Sequence, residues 1–330
     1  MQKMRHRILK ILGFISLLLL VLFFIFYLVK SSHWSLWNDD KSEEVVTDSG
    51  MQQTDENKIY ESNGYLSKME YPMDEDSIRR AAERFRYIYD ENIKGKDMKV
   101  YYSVIPDKNY FLAEEAGQPV MDYDVFYSVL KENIDFMEYI DITGLLSIED
   151  YYKTDTHWRQ ERLEKVAKKL AEEMGVSLNA DYEEKKLETP FYGIYYKEAA
   201  LSLPADTIYY FTNDTLEQCK VYDFQNDKEI SIYDMEKAQG RDPYEIYLSG
   251  AISLITIENP NATTEKELII FRDSFGSSLA PLLVEGYAKI TLVDIRYLRS
   301  DMLSKFITFE NQDVLFLYST LVLNNSETLK

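Results

Sequence analysis

The chain has 330 residues, 45% of them hydrophobic and 14% aromatic, enough for one large α/β domain or two small ones. Its 37 basic and 57 acidic residues give a formal net charge of −20, which repels phosphate backbones and argues against a nucleic-acid partner. Cys219 is the single cysteine, so neither an intramolecular disulfide nor a multi-cysteine zinc site is available.

Ile11 to Val29 is an uncharged run, long enough to cross a bilayer as a helix. Lys3, Arg5, Arg7 and Lys10 precede it and are expected to stay cytoplasmic. The run ends at Lys30 with no small-x-small cleavage site, so residues 1–30 read as a cytoplasmic flank and an uncleaved transmembrane anchor, with a cleaved signal peptide as the alternative. Trp34 and Trp37 fit an outer interfacial belt. On this reading the protein is a single-pass cell-membrane protein with its C-terminal domain outside. Residues 31–58 are polar and acidic and read as a flexible linker, with the folded domain spanning 59–330.

Ser77 to Ile93 is amphipathic, with Ile78, Ala81, Ala82, Phe85, Ile88 and Tyr89 on one side, and predicts a helix. Lys99 to Pro106 predicts a strand, Tyr123 to Asn133 a helix and Tyr139 to Ile142 a short strand. This alternation predicts a largely parallel sheet with helices on both faces.

Tyr151-Tyr-Lys-Thr-Asp-Thr-His-Trp158 then leads into a helical pattern, Arg159 to Met174, stopped by Gly175. His6 lies in the cytoplasmic flank and His33 at the membrane edge, so His157 is the only imidazole of the domain, two residues after Asp155. A base titrating near neutrality, with a carboxylate to hold its tautomer, is what serine activation requires. Equally, Thr154 or Asp155 could cap the helix while His157 packs in the core. A metal site is disfavoured, because no second histidine of the domain could join it.

Residues 182–262 differ in texture. They are rich in Tyr, Asp and Asn, with short β-like runs at Thr207–Phe211, Lys220–Phe224 and Leu254–Ile257, and read as a β-rich insertion or lid. Leu268 to Phe271 follows as a buried strand, then Arg272, Asp273 and Ser274, with a helical pattern from Ser278. A serine at such a strand-to-helix turn sits beside first-turn N–H groups that can stabilise an oxyanion, or it simply caps the helix. Ser277 and Ser278 are its rivals as nucleophile. Lys289–Asp294 and Asp313–Ser319 complete the strands, placing Ser274, Arg296 and Tyr318 at strand ends, where doubly wound sheets bind ligands. Tyr318 and Arg296 are therefore candidate oxyanion or substrate-binding residues. No phosphate-binding glycine loop is present and no cofactor is called for.

The order of Tyr151–Trp158, Phe191-Tyr-Gly193, Arg272-Asp-Ser-Phe275, Val293–Tyr297 and Val314–Tyr318 resembles that of DHHW-motif proteins. The Asp-Thr-His-Trp with its downstream serine is also similar to the SGNH-hydrolase-like proteins that O-acetylate alginate. The resemblance implies a permuted SGNH-like, doubly wound three-layer α/β fold, with Asp and His ahead of Ser in the chain. It implies Ser274 as nucleophile, His157 as base and Asp155 as its orienting acid. Thr156 stands where the namesake motif has His, and Ser249-Gly250-Ala251 stands where that family has Gly-Gly-Asn. The function implied is O-acyl transfer to a cell-surface or exported polysaccharide, with a multi-span membrane acyltransferase as acyl-donor partner. A carbohydrate acetylesterase with the same triad, or a non-catalytic export scaffold, are the competing readings.

Overall fold

The computed structural model describes residues 59–198 and 203–330. The expected anchor and linker lie outside these residues; among the described residues no helix is long and apolar enough to cross a membrane.

Two short strands come first among the described residues, β1 (Ile59–Ser62) and β2 (Tyr65–Lys68), paired antiparallel. Their turn is Asn63-Gly64, both at positive φ, the conformation that a two-residue hairpin demands and that these residue types tolerate. Helix α1 (Glu75–Ile88) starts where the Asp74 carboxylate accepts the Ser77 N–H at 2.8 Å. Then come β3 (Val100–Ile105), α2 (Tyr123–Asn133, capped by Asp122) and β4 (Glu138–Tyr139).

The pattern from Arg159 to Met174 forms a regular helix over only part of its length, α3 (Glu164–Glu173). Gln160 explains the late start: its amide is buried, donating to Ser278 O and accepting from Phe211 N, and this holds residues 160–162 in a tighter 3₁₀ turn.

Strands β5 (Glu183–Lys186) and β6 (Tyr209–Thr212) pair with each other, apart from the main sheet. After them run β7 (Lys220–Asp223), β8 (Lys228–Ile230), β9 (Leu254–Glu258), β10 (Glu267–Arg272), α4 (Phe275–Leu279), β11 (Lys289–Val293) and β12 (Asp313–Ser319).

Eight strands form one mixed sheet in the order β4-β3-β12-β10-β11-β9-β7-β8. The pairs from β4 to β11 are parallel, and those from β11 to β8 antiparallel. Residues 182–262, expected as an insertion, therefore divide. The stretch with β5 and β6 stands apart, whereas β7, β8 and β9 extend the central sheet. Their runs are apolar enough for it: Val221, Leu254, Ile255 and Ile257 are buried.

The period-two alternation of β10 shows why helices cover both faces. Leu268 and Ile270 join one core cluster with Val166 and Leu170 of α3, while Ile269 and Phe271 join another with Ile78 and Phe85 of α1 and Phe126 of α2. Each such side chain contributes about 1.5–3 kcal/mol by leaving water. A strand apolar on both sides can be stable only between two layers, so the fold is a three-layer mixed α/β structure. The chain leaves β3, β10 and β12 at the same edge of the sheet, and the candidate site is built there.

Candidate active site

The chain turns sharply after β10 because Asp273 holds it. Its buried carboxylate accepts the Phe275 N–H at 3.0 Å through Oδ1 and the Ser319 N–H at 2.8 Å through Oδ2, tying the ends of β10 and β12 together. Gly276 lets the turn fold back on the strand, since a Cβ there would lie 2.7 Å from Arg272 Cβ. Ser274 enters the turn with φ −61° and ψ −25° and is only half-buried, whereas Ser277 and Ser278 are buried. Helix α4 is five residues long, and Pro281, which has no N–H, gives way to 3₁₀ turns over Ala280–Gly286. The N–H groups of Phe275, Gly276 and Ser277 are already taken by Asp273 Oδ1, Asp273 O and Ser274 O. The first turn is therefore not the row of free donors that the sequence suggests.

His157 comes from a loop closed on itself, with Tyr151 and Trp158 in a β-bridge and Tyr152 N–H donating to His157 O at 3.0 Å. Trp158 Nε1–H donates to Phe275 O and Ser278 Oγ, both at 3.0 Å, and so fixes the loop to the serine turn. The result is a continuous relay. Asp155 Oδ1 lies 2.6 Å from His157 Nδ1, and His157 Nε2 lies 2.8 Å from Ser274 Oγ.

Asp155 is held from every side. Its Oδ1 also accepts the His157 backbone N–H at 2.9 Å, and its Oδ2 accepts the Ile194 N–H at 2.9 Å. Burial opposes its charge, yet the imidazole and these N–H groups outweigh burial and hold the carboxyl down to about 2. It is a permanent anion, the state that keeps a proton on His157 Nδ1 and leaves Nε2 free to accept one. The imidazole lies flat on Tyr244, ring centroids 3.9 Å apart and planes 9° from parallel, and the Tyr244 hydroxyl is anchored 2.9 Å from Ser278 Oγ. Gly193 passes so close that a Cβ there would lie 2.2 Å from Asp155 Cβ.

Asp155, His157 and Ser274 are thus brought together. Tyr318 and Arg296 are not: among the described residues no hydrogen bond joins either to Ser274 or His157. The alternation of β12 gives the reason. Leu317 faces the layer that holds Trp158 and Phe275, so Tyr318 faces the other, where it stacks on Phe85 at 5.2 Å. Arg296 is committed to Asp294, with Nε–H and Nη2–H donating to its two oxygens at 2.9 and 2.7 Å. Arg272, fully buried, also faces Asp294, at 3.6 Å.

Sequence reasoning missed Tyr244, Asp206 and the glycine contact of Asp155. Asp206 accepts the N–H groups of Lys153 and Thr154, each at 2.8 Å, and the Thr154 hydroxyl at 2.6 Å. Among the described residues no His, Cys, Asp and Glu cluster could hold a metal ion.

The DHHW protein family profile matches residues 125–293. No curated protein matches the sequence. Among solved structures, the chain is similar to a DHHW family protein from Eubacterium siraeum, at 21% identity and a TM-score of 0.64, over 84% of this chain and 95% of that one. It is also similar to Bacillus cereus PatB1 carrying a sulfonyl adduct, at 18% identity and a TM-score of 0.63, over 81% of this chain and 96% of that one.

Proposed function

The chain belongs to the DHHW protein family, and from that premise we propose that it is a membrane-anchored, extracytoplasmic O-acyltransferase with a permuted SGNH-like fold, moving acetyl groups onto a polysaccharide through Ser274, His157 and Asp155. The observation that supports this most is the unbroken Ser274–His157–Asp155 relay on one accessible edge of the sheet. Buried serine–histidine contacts are common enough in cores. A half-buried serine, bonded to the domain's single histidine, which is bonded in turn to a fixed carboxylate, has a chemical use instead.

In the proposed reaction Ser274 Oγ attacks the acyl carbonyl carbon while its proton passes to His157 Nε2. The Ser274 backbone N–H is the donor expected to meet the oxyanion. The proton moves from His157 to the departing oxygen of the donor, leaving an ester on Ser274. A sugar hydroxyl then gives its proton to His157 and attacks the ester carbon. Ser274 leaves with the proton returned to it. Asp155 remains ionised throughout and holds the imidazole in register. A multi-span membrane acyltransferase is the partner proposed to bring the acyl group to this face.

PatB1, of similar fold, has been captured with a sulfonyl adduct, and sulfonyl reagents report an activated nucleophile. The test is to treat the full-length chain with a phenylmethylsulfonyl reagent, and separately with an aryl acetate with and without an oligosaccharide. Label on the Ser274 peptide, absent from Ser274→Ala, together with acetyl transfer to the sugar, is the expected result. Hydrolysis without transfer would make the protein an esterase. Neither reaction, with no label on Ser274, would leave a scaffold. Label on Ser277 or Ser278 would displace Ser274 from its role.

A further inference from the structure

Just after β3 lies a lysine that the reaction above does not use. Lys108 is 2% exposed, and its Nζ donates to the carbonyls of Tyr152 at 2.8 Å, Lys153 at 3.2 Å and Asp155 at 3.1 Å. An ammonium has three N–H donors, and here three carbonyls of one loop take them. The rings of Tyr65, from the β1–β2 hairpin, and Tyr195, from the short helix Ile194–Glu198, flank it with centroids 5.5 Å from Nζ.

Opposite stands Asp206, whose carboxylate collects the N–H groups of Lys153 and Thr154. The loop that carries Asp155 and His157 is therefore strung by its peptide dipoles between a buried cation on its C=O side and an anion on its N–H side. Burying a charge is costly unless its partners are good, and here three carbonyls, all of the loop that carries Asp155, meet it.

We propose that Lys108 is a positioning residue of the reaction: by gathering the Tyr152, Lys153 and Asp155 carbonyls it fixes the backbone from which Asp155 reaches His157. The inference rests on the triad reading above. It has a consequence that packing alone would not have. A neutral amine offers two N–H donors and turns a lone pair toward the third carbonyl, so the loop is fully held only while Lys108 is charged. Burial is the main influence on that charge and pulls its pKa down to about 7, with the carboxylates of Asp155 and Asp206 acting against it. Tyr65 and Tyr195 are the other titratable groups that face it. Asp107, its chain neighbour, directs its carboxylate at Tyr123 and Thr320 instead, at 2.8 and 2.7 Å, and the Lys153 ammonium also lies near Tyr65, 5.9 Å from its ring.

The experiment compares full-length wild type, Lys108→Met, Lys108→Arg and Ser274→Ala for aryl acetate turnover from about pH 5.5 to about pH 9. In the wild type kcat should fall as pH rises through about 7. Lys108→Met should lose about 10²-fold in kcat with KM unchanged, the scale of a 1 Å misplacement. Lys108→Arg should recover part of kcat and lose the alkaline fall, because a guanidinium stays charged. Wild-type kcat in Lys108→Met, or an alkaline fall that persists in Lys108→Arg, overturns the proposal. If Lys108→Met does not fold, as judged by circular dichroism, the comparison of wild type with Lys108→Arg decides, and a wild type with no alkaline fall also overturns it. Full activity in Ser274→Ala is a separate outcome that removes the triad itself.

Discussion

Asp155 uses one carboxylate oxygen for His157 and the other for Ile194 N–H, so no rotation can improve one contact without losing the other. Asp155→Asn should keep the fold and lower kcat by about 10⁴ at the extreme, because an amide can stabilise the wrong imidazole tautomer. Steady-state kinetics beside circular dichroism would check this, and unchanged kcat would reduce Asp155 to a loop clasp. The same carboxyl links pH to stability. Its pKa falls from 3.8 to about 2 on folding, so its contribution is complete above about pH 4 and disappears as pH drops through about 2. Urea midpoints measured down this range should fall more steeply in the wild type than in Asp155→Asn. Gly193 makes a sharper test of geometry. Gly193→Ala must displace the Asp155 backbone or its own, since the added carbon meets Asp155 Cβ at 2.2 Å and Cα at 2.5 Å. A loss of kcat of about 10²-fold is expected from a shift of that size, and an Ala variant as active as wild type would mean that the site tolerates such a shift.

The serine turn depends on contacts between elements, above all the bridge from Asp273 to β12. Asp273→Ala leaves the Phe275 and Ser319 N–H groups without their acceptor, and each buried unpaired group costs about 1–3 kcal/mol. Chemical denaturation should show the loss, and a variant as stable as wild type would mean that other acceptors replace the carboxylate. How far such features were legible in the sequence follows their range. The β10 run and the α1 stripe could be read because period two and period 3.6 are local, and Asp-x-His could be read because its members are two residues apart. Tyr318 was misplaced because a strand end says where a residue stops along the sheet, not which face it takes; the alternation of β12 sends it to the Phe85 side. The joining of β7 and β9 to the main sheet was hidden because a short apolar run shows that a strand forms, not which strand it pairs with, and β9 meets β11 across about thirty residues. Lys108, Asp206 and Tyr244 gave no local signal, since each bonds to residues 34 or more positions away and reads in the sequence as an ordinary surface or aromatic residue.

At the scale of the whole molecule, charge is divided unevenly along the chain. All the basic residues of positions 1–30 are unaccompanied by acid, and positions 31–330 hold 32 basic against 57 acidic residues, a net −25. The proposed orientation rests on Lys3, Arg5, Arg7 and Lys10 ahead of the apolar run, since basic flanks favour the cytoplasmic side. Residues 31 onward are therefore expected outside the cytoplasmic membrane. Like-charge repulsion from anionic headgroups is expected to keep so acidic a domain from binding a lipid surface of its own accord. Protease added to intact protoplasts should remove the domain and leave a short membrane-bound fragment, with a cytoplasmic protein intact as control. Full protection would place the domain inside, where the proposed polysaccharide acceptor is not found, and would sink the topology and the acceptor together while leaving the chemistry of Ser274 to be tested on its own.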